Sequence, residues 1–201
     1  SEMCIRDRAG TVERLGTINL PSDNLASAIG GATEGAVAAI KTTGLDSGGT
    51  AQLAGTLTAA SVESLVGLKS VSGDTLVTAV KQISTSAVSA LKQANVPEDT
   101  MLTAVKSIAT ASTTAVLNAT QTSGVSSEVV KSSVSAVAAG AISGLSNLVV
   151  ESNSQLASSA ASIIVGGSMT ALADSALVSS DEKVNIVVDV VNKSVSVVSA
   201  L

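Results

Sequence analysis

The chain has 201 residues, a mass of 19.6 kDa and a formal net charge of −5, from eleven basic and sixteen acidic residues. It has no His, Phe, Trp or Tyr and a single Cys, which excludes an imidazole base, aromatic stacking platforms, an internal disulfide and a thiolate metal cluster. The acidic balance argues against binding to nucleic acid or anionic lipid. Only 13% of residues are charged and the mean hydropathy is +0.50, the reverse of a disordered chain.

The first residues differ in composition from the rest of the chain. Residues 1–8, Ser-Glu-Met-Cys-Ile-Arg-Asp-Arg, resemble a translated sequencing-adapter peptide, which predicts a non-native tail. The last residues lie inside a periodic apolar pattern. We therefore expect residues 19–201 to form a single helical-repeat domain that is a piece of a longer chain.

An apolar pair at i and i+3, preceded by a small residue, recurs about every 26 residues. The pairs are Val37/Ile40, Val62/Leu65, Val88/Leu91, Thr114/Leu117, Ile142/Leu145, Met169/Leu172 and Val195/Val198. The pair at Thr114 is the weakest. A gapless comparison of residues 74–94 with 99–119 gives ten identities in 21 at an offset of 25, so the register stays open by one residue.

Each repeat unit predicts one amphipathic helix, because its apolar residues recur at steps of three and four. The stripe of the third unit is Leu76, Val80, Ile83, Ala87 and Leu91. The stripe of the seventh unit is Val184, Val187, Val188, Val191, Val195 and Val198. We expect both stripes to be buried against neighbouring helices.

Short polar segments separate the units and carry helix-boundary signals. Gly44, Gly73 and Gly124 lie where helices should stop, and Pro97 where one should start. Ser179-x-x-Glu182 fits a capping box. An all-β fold is disfavoured because turn clusters come every 26 residues instead of every 8 to 12. The fold class is therefore all-α: about seven antiparallel helices of roughly 20 residues, as an open array or a closed bundle.

Candidate chemistry is sparse. Acidic residues near the helix starts fit helix N-termini better than calcium loops: Asp23, Asp74, Glu98, Asp99, Glu128, Asp181 and Glu182. Lysines recur about once per unit and predict a solvated face or, less simply, a ligand-binding stripe: Lys41, Lys69, Lys81, Lys92, Lys106, Lys131, Lys183 and Lys193.

Three further motifs have plain structural interpretations. The pairs Gly31-x-x-x-Gly35 and Gly140-x-x-x-Gly144 permit close packing of helices, in water or in a membrane. The segment Lys131-Ser-Ser133 offers a Ser–Lys arrangement, without the elbow motif of a serine hydrolase. The sequons at Asn118 and Asn192 occur at chance frequency. We predict no enzyme, no catalytic residue, no cofactor and no metal site.

The Ser/Ala/Val-rich helices, acidic linkers and absence of aromatics resemble helical repeat segments of large cell-surface proteins. These include the regions beside receptor-for-egg-jelly modules in polycystin-like proteins, and segments of bacterial surface proteins. The resemblance implies a non-catalytic structural or protein-interaction module at the cell surface, with a protein or flanking domains as partner. The alternative is an amphipathic array that binds a lipid surface. Nucleic acid is not expected as a partner, and a membrane span is disfavoured.

Overall fold

The computed structural model describes residues 21–68, 71–145 and 154–199. These residues form seven α-helices and one 3₁₀ turn, Ala39–Thr42, with no strand in the described ranges. The helices are α1 Ser22–Ala38, α2 Ser47–Val66, α3 Gly73–Gln93, α4 Glu98–Ser123, α5 Ser127–Leu145, α6 Ser154–Asp174 and α7 Ser180–Val198. The predicted all-α fold with about seven helices is confirmed. Residues 1–8, Lys69 and the linker 151–153 lie outside the described residues.

The helices form two layers. Helices α1, α3, α5 and α7 make the odd layer, and α2, α4 and α6 make the even layer. Each helix packs most extensively on the helix two places along the chain, its parallel neighbour in the same layer, and less on the helix next in sequence. Within the described residues no helix contacts another more than two places away, so the array is open and its two ends do not meet.

The helix starts follow their capping residues. The Asp46 carboxylate accepts a hydrogen bond from the Gly49 N–H at 2.7 Å, and the Ser72 hydroxyl accepts one from the Thr75 N–H at 3.2 Å. The predicted capping box of Ser179 and Glu182 is present in both directions. Pro97 immediately precedes α4, as expected.

The helix stops agree less well with the sequence expectations. Gly44 and Gly124 do adopt left-handed backbone conformations, with φ of +67° and +64°. Gly73 is not a stop, because it is the first residue of α3. A Cβ there would lie 2.6 Å from Cγ2 of Val129, so close packing explains the glycine. The helix before it, α2, ends at Val66 and is followed by Gly67 as its C-cap. Helix α3 ends before Asn95, which has φ of +54°.

The apolar pairs occupy the same register in every helix. Counted from the first helical residue, they are the sixteenth and nineteenth residues of α2, α3, α5, α6 and α7. In α1 the count is the same, although Ile40 falls in the 3₁₀ turn that follows the helix. In α4 the equivalent residues are Thr113 and Val116, both buried, whereas Thr114 is exposed. The predicted pair in this unit was wrong by one residue, and the gapless offset of 25 gives the true register.

The two predicted stripes have opposite fates. All five residues of the α3 stripe are buried. The prediction that the α7 stripe is buried was wrong, because five of its six valines are exposed. Helix α7 buries Ile186, Val190 and Ser194 instead. The reason is positional: the odd layer supplies α7 with a neighbour on one side only, so the stripe on the opposite side is open.

Candidate functional site

Each internal helix has two faces within its layer. We call the side turned toward the next helix of the layer the forward face, and the opposite side the backward face. Forward contacts come from the ninth, thirteenth and sixteenth residues. Backward contacts come from the tenth, fourteenth and eighteenth. These positions recur in both layers, so one contact geometry is repeated along the array.

The α3–α5 contact shows this geometry most clearly. A Cβ on Gly140 would collide with the carbonyl group of Lys81. A Cβ on Gly144 would lie 2.6 Å from the Thr85 carbonyl oxygen and 2.8 Å from Cβ of Val88. The glycines let the two helix backbones approach directly, and the Gly140/Gly144 pair therefore serves close packing between helices of one layer.

Hydroxyl groups complete the α3–α5 contact. Thr85 Oγ1 donates to the Gly140 carbonyl at 3.0 Å, and Ser89 Oγ donates to the Gly144 carbonyl at 3.4 Å. These bonds join the two helices through carbonyl oxygens that also accept hydrogen bonds within their own helix. They make the contact directional in addition to closely packed.

The other same-layer contacts reuse the pattern. Gly30, the ninth residue of α1, has Cγ of Gln82 on α3 only 2.6 Å from a hypothetical Cβ. Gly55 of α2 packs in the same way on Ser107 of α4. Gly167 of α6 would place a Cβ 2.9 Å from Thr110 Oγ1. A glycine at one of the contacting positions thus lets the helices of these pairs approach.

The sixteenth residue shows where the array ends. In the odd layer, Val37, Val88 and Ile142 are each 0% exposed. Val195, the equivalent residue of α7, is 60% exposed. The surrounding residues on this side of α7 are exposed too, and we call the set the valine face: Val184, Val188, Val191, Val195 and Val198. It is a continuous apolar stripe at helical spacing with no helix over it in the described residues.

The backward face of α7 is polar and holds α7 on α5. Ser135 Oγ donates to Asp189 Oδ2 at 2.5 Å, and Lys193 Nζ lies 3.0 Å from the same oxygen. Partial burial opposes ionisation of Asp189, but the hydrogen bonds from Ser135 and Lys193, with the nearby positive charges, outweigh it and lower its pKa. Helix α7 is therefore anchored on one side by a charged network and left apolar on the other.

The opposite end of the odd layer has a different open face. On α1, the tenth and fourteenth residues are Gly31 and Gly35, and both are exposed. A Cβ on Gly31 would meet no atom within 4 Å. With exposed Asn24 and Ser27 they form what we call the glycine face. The predicted pair Gly31/Gly35 is thus uncovered, unlike Gly140/Gly144.

A cleft of about 340 Å³ lies where α4 ends and α5 and α7 begin. Leu117, Val125, Leu177 and Ile186 supply its apolar walls. Its charged groups are already engaged. Lys131 Nζ lies 3.0 Å from Glu128 Oε1, and hydrogen bonds from Ser127 and Ser179 lower the pKa of Glu182. Paired surface charges of this kind are typical of helix ends rather than of a reactive centre.

The candidate acids do not converge. Asp74, Glu98, Glu128, Asp181 and Glu182 lie in the first turns of four different helices. Asp23 and Asp99 also belong to first turns, although their side chains lie outside the described ones. Among the residues that the structure describes, no three acidic or Cys side chains approach closely enough to hold a metal ion.

The lysines do not share one face. Lys81 and Lys106 are ninth residues, whereas Lys131, Lys183 and Lys193 are the fifth, fourth and fourteenth of their helices. Lys41 and Lys92 lie at helix ends. None of these seven lysines is buried, so a single ligand-binding stripe is not formed by the described lysines.

The Ser–Lys candidate is not assembled. Residues at i and i+2 on a helix do not face each other, and Lys131 points to Glu128 while the Ser133 hydroxyl is buried.

Asn118 and Asn192 of the two sequons are exposed on α4 and α7. In the described part of the chain, no helix has an apolar segment long enough to cross a bilayer.

Sequence reasoning identified no site residue, and it missed the valine face as an exposed surface. A signal was present in the sequence: the seventh unit carries valines at its fifth, ninth, twelfth and sixteenth residues, whereas the third has Val77, Lys81, Ser84 and Val88 there.

The comparisons with known proteins supply no family, since the chain matches no protein-family model and no curated protein.

Proposed function

We propose that this protein is a non-catalytic helical-repeat module that acts as a stiff structural spacer and a protein-interaction scaffold. One observation supports the proposal above all: the same contact, built from the same helix positions, is repeated from α1 to α7. Arrays of this kind are stabilised by neighbour-to-neighbour terms and present extended surfaces to partners.

The chemistry of the described residues fits a non-catalytic role. The Ser133 hydroxyl is buried while Lys131 pairs with Glu128, and the candidate acids lie in the first turns of helices. The resemblance to repeat segments of large surface proteins favours the same role, with a cell-surface location as part of the proposal.

A distance measurement tests the spacer role. Spin labels at Ser27→Cys on α1 and Asn192→Cys on α7, both exposed positions, would be placed in a Cys4→Ser background. The labelled chain would be diluted with excess unlabelled chain, so that only distances within one copy are measured. Double electron–electron resonance should give a single narrow distance distribution. Its width should not exceed that of a reference pair on one helix, Asp181→Cys and Asn192→Cys. A broad distribution between α1 and α7 would contradict a stiff module.

The alternative function, binding to a lipid surface, is favoured by the valine face alone. It lacks the aromatic anchors and the cationic polar face that interfacial helices normally carry. The apolar residues of α1 to α5 are already covered by other helices. Circular dichroism with and without phosphatidylcholine–phosphatidylserine vesicles separates the two functions, because helix gained only with lipid would contradict the spacer.

A further inference from the structure

We propose that the valine face of α7 docks onto the glycine face of α1 in a second copy of this chain. The modules then join head to tail through the contact that links helices inside each copy. This inference rests on the proposed function, since it names the partner of an array that acts as a scaffold.

The valine face occupies the same helix positions as the forward face of α3, and both helices carry valine at the fifth and sixteenth residues. Val195 corresponds to Val88, the sixteenth residue, which packs on Gly144 of α5. The hydroxyl donors have counterparts as well. Asn192 is the thirteenth residue, where Thr85 donates to a glycine carbonyl, and Ser196 is the seventeenth, where Ser89 donates. Both α7 residues are exposed and available to donate in the same way.

The glycine face of α1 repeats the backward face of α5. In α5 the tenth, fourteenth and eighteenth residues are Ala136, Gly140 and Gly144, which receive α3. In α1 the tenth and fourteenth residues are Gly31 and Gly35, and Ala39, the first residue of the following 3₁₀ turn, takes the third place. Both sets are small enough for a helix backbone to approach, and Gly31 and Gly35 of α1 are exposed.

Electrostatics permit the contact. The fifth, ninth, twelfth and sixteenth residues of α7 are all valine, and the glycine face of α1 carries only Asn, Ser and Gly. No charged group would have to be desolvated at the centre of the contact. The backward face of α7, with Asp189 and Lys193, is in contrast already occupied by α5.

The symmetry of the contact determines the product. The two faces differ, so the interface is heterologous and leaves one open face at each end of every dimer, which allows further addition. A single helix pair buries less surface than a standard interface, so we expect association at concentrations from about 10 µM upward. The proposal concerns the odd layer, where both faces are described.

Two variants block opposite ends. Gly31→Leu fills the open space on the glycine face and should leave the fold of the chain intact, because a side chain there meets no atom within 4 Å. Val195→Asp places a charge at a position that is 60% exposed in the single copy. Matched controls are Gly166→Leu, an equally open helical glycine of the even layer, and Leu177→Asp, an exposed apolar residue before α7.

Sedimentation velocity over a concentration series is the test, with thermal unfolding of each variant as a check of folding. The parent chain and both controls should form dimers and longer species. Each blocking variant alone should stay monomeric, and an equimolar mixture of the two should give a dimer and nothing larger, since one end of each remains active.

Two results would overturn the proposal. Continued dimerisation of Gly31→Leu would show that two valine faces meet each other instead. A parent chain that stays monomeric at every concentration would show that the valine face has another occupant. Neither result affects the spacer proposal, which the distance distribution within one chain tests separately.

Discussion

Helices α3 and α7 differ in how they are covered, although both begin after a serine cap and both carry a valine at the sixteenth residue. Helix α3 lies between α1 and α5, and Val88 is fully buried. Within the odd layer α7 has α5 as its single neighbour, and Val195 is mostly exposed. The comparison shows that in a repeat array the burial of a side chain depends on whether its helix has neighbours in its layer, and that the amphipathic pattern alone does not determine it.

The largest contrast is expected from the same substitution at the two equivalent positions. Val88→Asp puts an unpaired charge between α3 and α5 and should destabilise the chain by about 4 kcal/mol or more. Val195→Asp should change the free energy of unfolding by less than about 0.5 kcal/mol, as at other surface positions. Urea denaturation at a concentration where the chain is monomeric measures both. Equal losses would mean that the valine face is covered within one copy.

Glycine-to-alanine changes sharpen the comparison at the backbone. Gly140→Ala should cost about 1–3 kcal/mol, because the new methyl group collides with the Lys81 carbonyl group. Gly166→Ala should stabilise the chain by up to about 1 kcal/mol, because alanine favours the helix and the site is open. The two substitutions should therefore change the free energy of unfolding in opposite directions, by thermal as well as by urea unfolding. A stabilising Gly140→Ala would contradict the close α3–α5 contact.

Removing the serine caps should distinguish the inner helix from the end helix. Ser72→Ala and Ser179→Ala each should cost about 1 kcal/mol of helix stability. For α3 the loss should appear throughout the array, because α3 supports neighbours on both sides. For α7 it should appear as faster amide hydrogen exchange confined to α7, whose opening disturbs fewer contacts. Uniform loss of protection in both variants would contradict this difference.

The smallest effect is a pH dependence of the α5–α7 contact. The pKa of Asp189 is lowered in the folded chain, so its contribution to stability is present above its ordinary pKa and is lost as the pH falls through the folded value. Ser135→Ala should cost less than about 1 kcal/mol at pH 7, because Asp189 is only partly buried and keeps its ion pair with Lys193. The difference from the parent should shrink below about pH 4. Urea unfolding at pH 7 and pH 3 measures it, and a cost that does not change with pH would contradict the assignment.

Much of the architecture could be predicted from the sequence, because it depends on local signals. The capping box at Ser179, the glycine stops at Gly44 and Gly124 and the repeat of apolar pairs all act within one helix or its ends. The gapless alignment also gives the correct register of α4, because its offset of 25 aligns Val88 with Thr113 and not with Thr114.

The layer arrangement could not be predicted, because it depends on contacts between helices two places apart. Nothing in the sequence of α7 alone states that Val188 lacks a partner while Ile186 has one. Nor does the sequence distinguish a glycine that serves a close approach, Gly140, from one on an open face, Gly31. That distinction comes from the position of a helix in the array, and the candidate surface was missed for this reason.

Thiol accessibility at the sixteenth residue tests the central claim most directly. Val37→Cys, Val88→Cys, Ile142→Cys and Val195→Cys, each made in a Cys4→Ser background, place one thiol at equivalent sites along the odd layer. With a thiol reagent under native, monomeric conditions, Val195→Cys should react nearly as fast as an unfolded control. The other three should react at least about 100-fold more slowly, because their reaction requires opening of the array. Equal rates at all four sites would contradict a repeated contact that leaves only the last helix of the layer open.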